Sequence, residues 1–256
     1  MLKKLQKGDI DILKSAEILL QNGSLSSDCV LMVDEMYLKK SSEYHGGNYV
    51  GESSNGQLFK GIVVFMIVGL QKSVPYVVKS CPVVSLSGGW LSLEIDSCLS
   101  NLQKSGFKVR AVVSDNHSSN VNAYADLRKK YGDTNSNLFI YHPAYGNSLK
   151  TYLLYDMVHI IKNVRNNLLN SKKFVFPSFI FDSFEDSIYV KDGYLSWSMF
   201  YKLYENDLKL EGNLKKAHKI WFQFTHPGNN KQNVSIALAF FHETTSAAIL
   251  SYYPER

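Results

Sequence analysis

The sequence predicts an α/β protein, and three observations carry that reading. Short apolar runs rich in β-forming residues alternate with stretches whose apolar residues recur at helical spacing. Three of those runs end in an aspartate. Of the 256 residues, 45% are hydrophobic, enough for a packed core and too many for a disordered tail or a collagen-like rod. A chain of this length is expected to hold one large domain, or one domain and part of a second.

Residues 9–21 place Ile10, Leu13, Ala16, Leu19 and Leu20 on one helical face, with Gly23 as a stop. Cys29–Asp34, CVLMVD, is a continuous apolar run closing on an acid and reads as a buried central strand. Tyr44–Val50 and Lys60–Leu70 follow, separated by the turn signals Gly46-Gly47 and Asn55-Gly56, so a three-stranded antiparallel meander is expected. Val74–Val84 extends that meander or wraps an edge, because Pro75 and Pro82 do not suit a central strand.

From Gly89 the period changes. Leu91, Ile95, Cys98, Leu99 and Leu102 share a helical face that Gly106 can end. Val109–Asp115, VRAVVSD, is a second strand closing on an acid; Asn120–Tyr131 is a helix with Val121, Tyr124 and Leu127 inward. Leu138–Tyr141 and Thr151–Asp156 are β-like, the latter the third strand to close on an acid. Met157, Ile160, Ile161, Val164 and Leu168 then mark one face of a helix, with His159, Lys162, Asn163 and Asn166 on another. Past Asn170 the sequence becomes aromatic-rich and loop-like over Lys172–Tyr194. Helical patterns return at Ser196–Asp207, around Leu214–Phe224, and at Ser235–Leu250, read as one buried helix. A second unit is expected to begin near residue 170.

Lys and Arg total 28 against 23 Asp and Glu, a net charge of +5, which permits a polyanionic partner without a histone-like excess. Cys29, Cys81 and Cys98 have neither CxxC spacing nor clustered His partners, so a disulfide framework and a structural zinc site are not expected. The longest apolar run, Gly61–Leu70, is about half the ~20 residues of a membrane span, and charges interrupt the apolar residues at the amino end. The expectation is an intracellular, soluble protein with no membrane partner.

The acids at the strand ends carry the chemistry. In sheets with parallel neighbours, ligands gather beyond the carboxyl ends of the strands, where Asp34, Asp115 and Asp156 would sit. Carboxylates held close together suit a hard divalent cation, and paired ions stabilise the attacking and leaving oxygens of phosphoryl transfer. The plainer reading stands beside it: an Asp after a strand is often a turn former or a helix N-cap. Rival chemistries lack their motifs, since GxxxxGK[ST], GxGxxG, GxSxG and HExxH do not occur. His159, Lys162 and Arg165, directly after Asp156, could face a DNA phosphate near the metal.

LMVDEMYLKK, VRAVVSDNHSSN and DMVHIIKNVRNNLL, in this order, resemble the catalytic region of P-element-type transposases, including the THAP-domain-containing ones, from about Asp28 onward. The resemblance implies an RNase H-like mixed sheet with flanking helices over residues 1–168 and a partial, mainly helical, GTP-binding insertion-like domain over 169–256. It implies Mg2+- or Mn2+-dependent DNA cleavage and strand transfer in the nucleus, with Asp34 and Asp115 as catalytic metal-binding carboxylates. Asp156, His159, Lys162 and Arg165 take DNA-binding or supporting places, and the protein is open to homo-oligomerisation. KQNVSIALAFFHETTSAA resembles the family's Lys-Met-x-Val-x-x-Ala-x-Gln stretch, which assigns Lys231 and Val234 to GTP; Gln232 stands for Met and Ala239 for Gln.

Two departures accompany the resemblance. The cysteines do not supply the zinc domain that reads transposon ends. The family's third catalytic residue is a Glu beyond the insertion, and the late candidates here, Glu243 and Glu255, lack its context. A transposase fragment with an incomplete active site, and so without activity, is therefore expected. The competing readings are a domesticated non-catalytic DNA- or protein-binding module and an unrelated metal-dependent phosphohydrolase.

Overall fold

The computed structural model of the chain describes residues 13–39, 41–45, 48–71, 74–133, 136–170, 173–182, 187–190, 193–210, 215–226, 228 and 233–252. The chain divides into two compact units, Met1–Asp156 and Met157–Arg256. The helix after Asp156 thus groups with the second unit, upstream of the 168/169 boundary read from the sequence.

The first unit opens with helix α1 (residues 13–21) and is built on a sheet. Strands β1 (Asp28–Tyr37), β4 (Gly61–Gly69) and β5 (Pro75–Val83) form the antiparallel meander. A small separate ribbon, β2 (Glu43–His45) with β3 (Asn48–Val50), interrupts it in sequence. The expected third meander strand at Tyr44–Val50 is therefore corrected: β5 takes that place. It does so at the sheet's edge, where Pro75 and Pro82 leave no required ladder donor missing. β6 (Lys108–Ser114) lies parallel to β1, and β9 (Thr151–Tyr155) parallel to β6. With β7 (Gly132–Asp133) and β8 (Ser136–Ile140), the described strands run in the order β5-β4-β1-β6-β9-β8-β7.

The continuous apolar run of β1 follows from its central place. Cys29, Leu31 and Val33 are buried on one face, and Val30 and Met32 are half-buried on the other. Against the first face pack α2 (Gly88–Lys104), through Leu91, Ile95, Cys98, Leu99 and Leu102, and α3 (Ser118–Tyr131), through Ala123, Tyr124 and Leu127. Val121, expected inward, is 37% exposed; the smaller Ala123 faces the core instead. Gly88 permits this layer, because a Cβ there would lie 2.5 Å from Cβ of Asn122 on α3. Gly106 ends α2 at φ +88°, a left-handed conformation that favours glycine. The Tyr124 hydroxyl, 3.1 Å from the carbonyls of both Val112 and Leu154, ties α3 to β6 and β9. The three cysteines are free, and burial pushes the Cys29 and Cys98 thiols up to about 12.

The second unit begins with α4 (Met157–Leu169). The Lys172–Tyr194 stretch, expected as loop, instead forms two antiparallel ribbons, β10 (Phe174–Phe176) with β13 (Gly193–Leu195) and β11 (Phe179–Asp182) with β12 (Ser187–Val190). Its Phe, Val, Ile and Tyr content favours extended pairing. Then come α5 (Trp197–Leu208), the short α6 (Phe222–Thr225), α7 (Val234–Phe240) and α8 (Glu243–Tyr252). Trp197 stacks on Phe224 at 5.3 Å and 9°, within a core that includes Leu168, Phe200, Leu203, Ile220 and Phe240.

Two helical expectations are corrected here. Of the expected helix around 214–224, the described residues 215–224 are helical only from Phe222, in α6, because Asp207 draws the backbone N–H groups of Lys216 and Ala217 into a turn (3.3 and 2.7 Å). Ser235–Leu250 is two helices rather than one. His242 Nδ1 accepts from the Thr244 N–H and starts a new helix, while the Thr245 hydroxyl donates to the Ala239 carbonyl at 2.7 Å.

Candidate functional site

β1, β6 and β9 are parallel neighbours, and their register brings the acids to one edge. Val33 is level with Ser114, and Ser114 with Tyr155. Asp34, Asp115 and Asp156 are each the next residue along, on three strands spaced about 4.8 Å apart. Asp115 and Asp156 directly follow β6 and β9, whereas Asp34 lies within β1, which does not close on the acid as expected but runs on to Tyr37 paired with β4 after its parallel pairing to β6 has stopped. Alternation along the strands puts Asp34 on the face of Val30 and Met32, opposite the helix-covered face. The Asp156 N–H donates to the Ser114 carbonyl at 2.7 Å, which extends the β6–β9 pairing to that residue.

The three carboxylates differ in their surroundings. Asp34 is exposed, with Oδ1 accepting the Glu35 N–H at 2.9 Å. Asp115 is half-buried, and its Oδ1 accepts twice, from the His117 N–H at 2.9 Å and from Asn120 Nδ2 at 2.6 Å. The first contact is the local Asx turn of the plainer reading. His117, not Asp115, caps α3, its Nδ1 accepting from the Ser119 N–H. Asn120 is 7% exposed and holds Asp115 from the first turn of α3. Its orienting part is not readable from spacing, although SDNHSSN marks the loop that contains it.

An all-oxygen donor set of this kind suits Mg2+ or Mn2+ better than a soft metal. Among the described residues no three Asp, Glu, His or Cys side chains converge closely enough to form a complete metal cage. Two carboxylates on adjacent strands, with a third acid one strand further, are what the structure brings together.

The remaining sequence-derived residues belong to the second unit, apart from Asp156. On α4, His159 and Lys162 are half-buried and Arg165 is fully buried; burial holds the Arg165 guanidinium below its ordinary value. Val234 is the first residue of α7, capped by Asn233, whose Oδ1 accepts from the Ile236 N–H. Glu243 is exposed at the start of α8. Lys231 and Glu255 lie outside the described residues.

A hydrogen-bonded cluster that the sequence did not disclose lies between α2 and the β8 end of the sheet. Asp96 Oδ1 accepts from Tyr131 Oη (3.0 Å) and His142 Nε2 (2.7 Å), and Oδ2 from Lys130 Nζ (3.0 Å). His142 Nδ1 accepts the Ala144 N–H, which leaves the ring proton on Nε2. Partial burial would raise the Asp96 carboxyl, but the bonds from Lys130, His142 and Tyr131 outweigh it and hold the group below its ordinary value.

Residues 9–128, which include Asp34 and Asp115, match the family model described as TNP-like, RNase H N-terminal domain. A solved structure described as the Drosophila P element transposase strand transfer complex aligns with a TM-score of 0.66 at 22% identity, over 90% of this chain and 45% of that one. The fold is RNase H-like. No curated protein matches the sequence. In the RNase H-like sheet, the antiparallel meander β5-β4-β1 and the parallel pair β6-β9 meet at β1, the strand that carries Asp34. The chain spans less than half the length of the transposase chain it matches. No helix among the described residues is long and apolar enough to cross a membrane.

Proposed function

We propose that this chain is a P-element-type transposase polypeptide whose RNase H-like unit binds a divalent metal and DNA for phosphodiester cleavage and strand transfer. The observation that carries the reading is the register of β1 and β6, which sets Asp34 beside Asp115 within the span matching the transposase-like RNase H family. The resemblance in the sequence motifs and the likeness to a strand transfer complex support DNA as the substrate.

Each residue then has a definite part. Asp34 and Asp115 hold Mg2+ or Mn2+, which when bound polarises the scissile phosphate and lowers the pKa of an attacking water or 3′-hydroxyl. Asn120 and the His117 N–H fix one oxygen of Asp115, so that its carboxylate meets the cation in one orientation. Asp156 adds negative charge at the same edge. The wider reading places GTP on the second unit through Lys231 and Val234, with a nuclear site of action and self-association.

With two carboxylates on adjacent strands and no cage of three among the described residues, the 256-residue polypeptide is expected to bind metal without cleaving DNA by itself. That same observation favours the second reading, a DNA- or protein-binding module that keeps the scaffold alone. Calorimetric titration with Mn2+, of the wild type beside Asp34→Asn/Asp115→Asn, separates the two. Metal uptake by the wild type and none by the double variant supports the metal site. Equal behaviour of the two proteins removes it and leaves the binding module. Nicking of a labelled duplex that depends on both acids would overturn the expected inactivity.

A further inference from the structure

Residues 215–226 form a surface for which the RNase H-like reading has no use. The segment is anchored inward by Ala217, Ile220 and Phe224, all buried, and by the buried carboxylate of Asp207, which holds the N–H groups of Lys216 and Ala217. Anchored there, it presents Lys215, Lys216, His218, Phe222, Gln223 and His226 to solvent, and none of these is acidic.

Its rings are ordered although they are exposed. Phe222 is 60% exposed, yet it stacks flat on His226, with centroids 4.5 Å apart and planes at 14°. Tyr201 of α5, itself 38% exposed, meets the other ring edge-on at 5.5 Å. The Thr225 hydroxyl gives its proton to the Phe222 carbonyl (3.1 Å), so its 2.9 Å contact with His226 makes Nδ1 the donor. That bond fixes the imidazole against Phe222.

A large aromatic ring left in water, on a segment that also exposes Lys215 and Lys216, forgoes the burial that normally stabilises it. Flat exposed rings next to lysines are the chemistry that binds unpaired nucleic-acid strands, by stacking on base faces while the cations meet phosphates. We propose that this face binds single-stranded nucleic acid, Phe222 and His226 stacking on bases and Lys215 and its neighbours contacting the backbone. The proposal does not depend on Asp34 or Asp115, and it gives the second unit a hold on an unpaired strand.

The test is fluorescence titration of the full chain, at low salt, with a thymidine oligonucleotide carrying one 2-aminopurine. Expected are saturable binding with quenching of the base, about tenfold weaker binding and loss of quenching in Phe222→Ala, and retention of both in Phe222→Trp. Lys215→Glu should flatten the salt dependence, and the titrations are run in EDTA without divalent metal, which keeps this outcome apart from the metal reading. If Phe222→Ala proves unfolded by its thermal melt, His226→Ala supplies the same readout. Unchanged affinity and quenching in the ring variants would overturn the proposal. So would displacement of the oligonucleotide by polyglutamate at equal charge concentration, which marks a merely cationic face, or no binding by the wild type.

Discussion

Asn120 shows how one buried amide can matter to a site it does not enter. Its Nδ2 reaches Asp115 Oδ1 at 2.6 Å from the first turn of α3. The carboxylate is thereby held by the helix as well as by its own turn. Groups that orient a metal ligand commonly change affinity by about 10- to 100-fold when removed. Asn120→Ala should therefore weaken Mn2+ uptake by about tenfold in calorimetry, with a thermal melt close to that of the wild type. An unchanged Mn2+ affinity would show that the Asp115 turn alone sets the carboxylate. Asp115 was legible in the sequence because a strand closes on it. Asn120 was not, because a buried Asn in a polar loop looks the same whether it bonds a backbone group or a ligand.

Between elements, the Asp96 cluster joins α2, α3 and the start of the 3-10 turn at Pro143–Ser148. The carboxyl titrates below its ordinary value, so the folded state holds its proton less tightly than the unfolded chain. The linked stability is fully present above the unfolded value, about 3.9. It is lost as pH falls through the lower folded value. Asp96→Ala should cost about 1–3 kcal/mol near neutral pH, because it leaves the buried His142 Nε2–H without its acceptor. It should also flatten the loss of stability between about pH 5 and pH 3. Urea unfolding across that range checks both, and an acid limb as steep as the wild type's would place the acid sensitivity elsewhere. Elements with one strong period, such as α2 with Leu91, Ile95 and Leu99, were legible, since burial and spacing agree. The break between α7 and α8 was not, because apolar residues run through it while the stop comes from His242 and Thr245 hydrogen bonds. The meander's third strand was misplaced for a related reason: Tyr44–Val50 has β-forming residues but its described strands pair with each other as a ribbon, while Val74–Val84, expected to extend the meander or wrap an edge, takes the edge place where its prolines are tolerated.

At the scale of the whole chain, the two hydrophobic cores formed by the described residues share none of them. The first gathers Ala16 through Leu153 and the second Leu168 through Ala248. A unit that buries its own apolar residues among themselves has its own source of stability, so the chain should unfold in two steps. Asp207 gives this a selective handle. It is 2% exposed and accepts from the N–H groups of Lys216 and Ala217 and from the Tyr252 hydroxyl, binding α5, the 216–219 turn and α8 together. Removing a buried acceptor of three donors costs about 3 kcal/mol or more. Asp207→Ala should therefore lower the unfolding transition of the second unit and leave that of the first in place, since perturbations in separate cores act independently. A fragment of residues 1–156 should melt cooperatively at the temperature of the surviving transition. Calorimetry on the fragment, the wild type and the variant decides it. A single transition that Asp207→Ala shifts as a whole, or a fragment without a cooperative melt, would mean that the RNase H-like sheet draws its stability from the second unit.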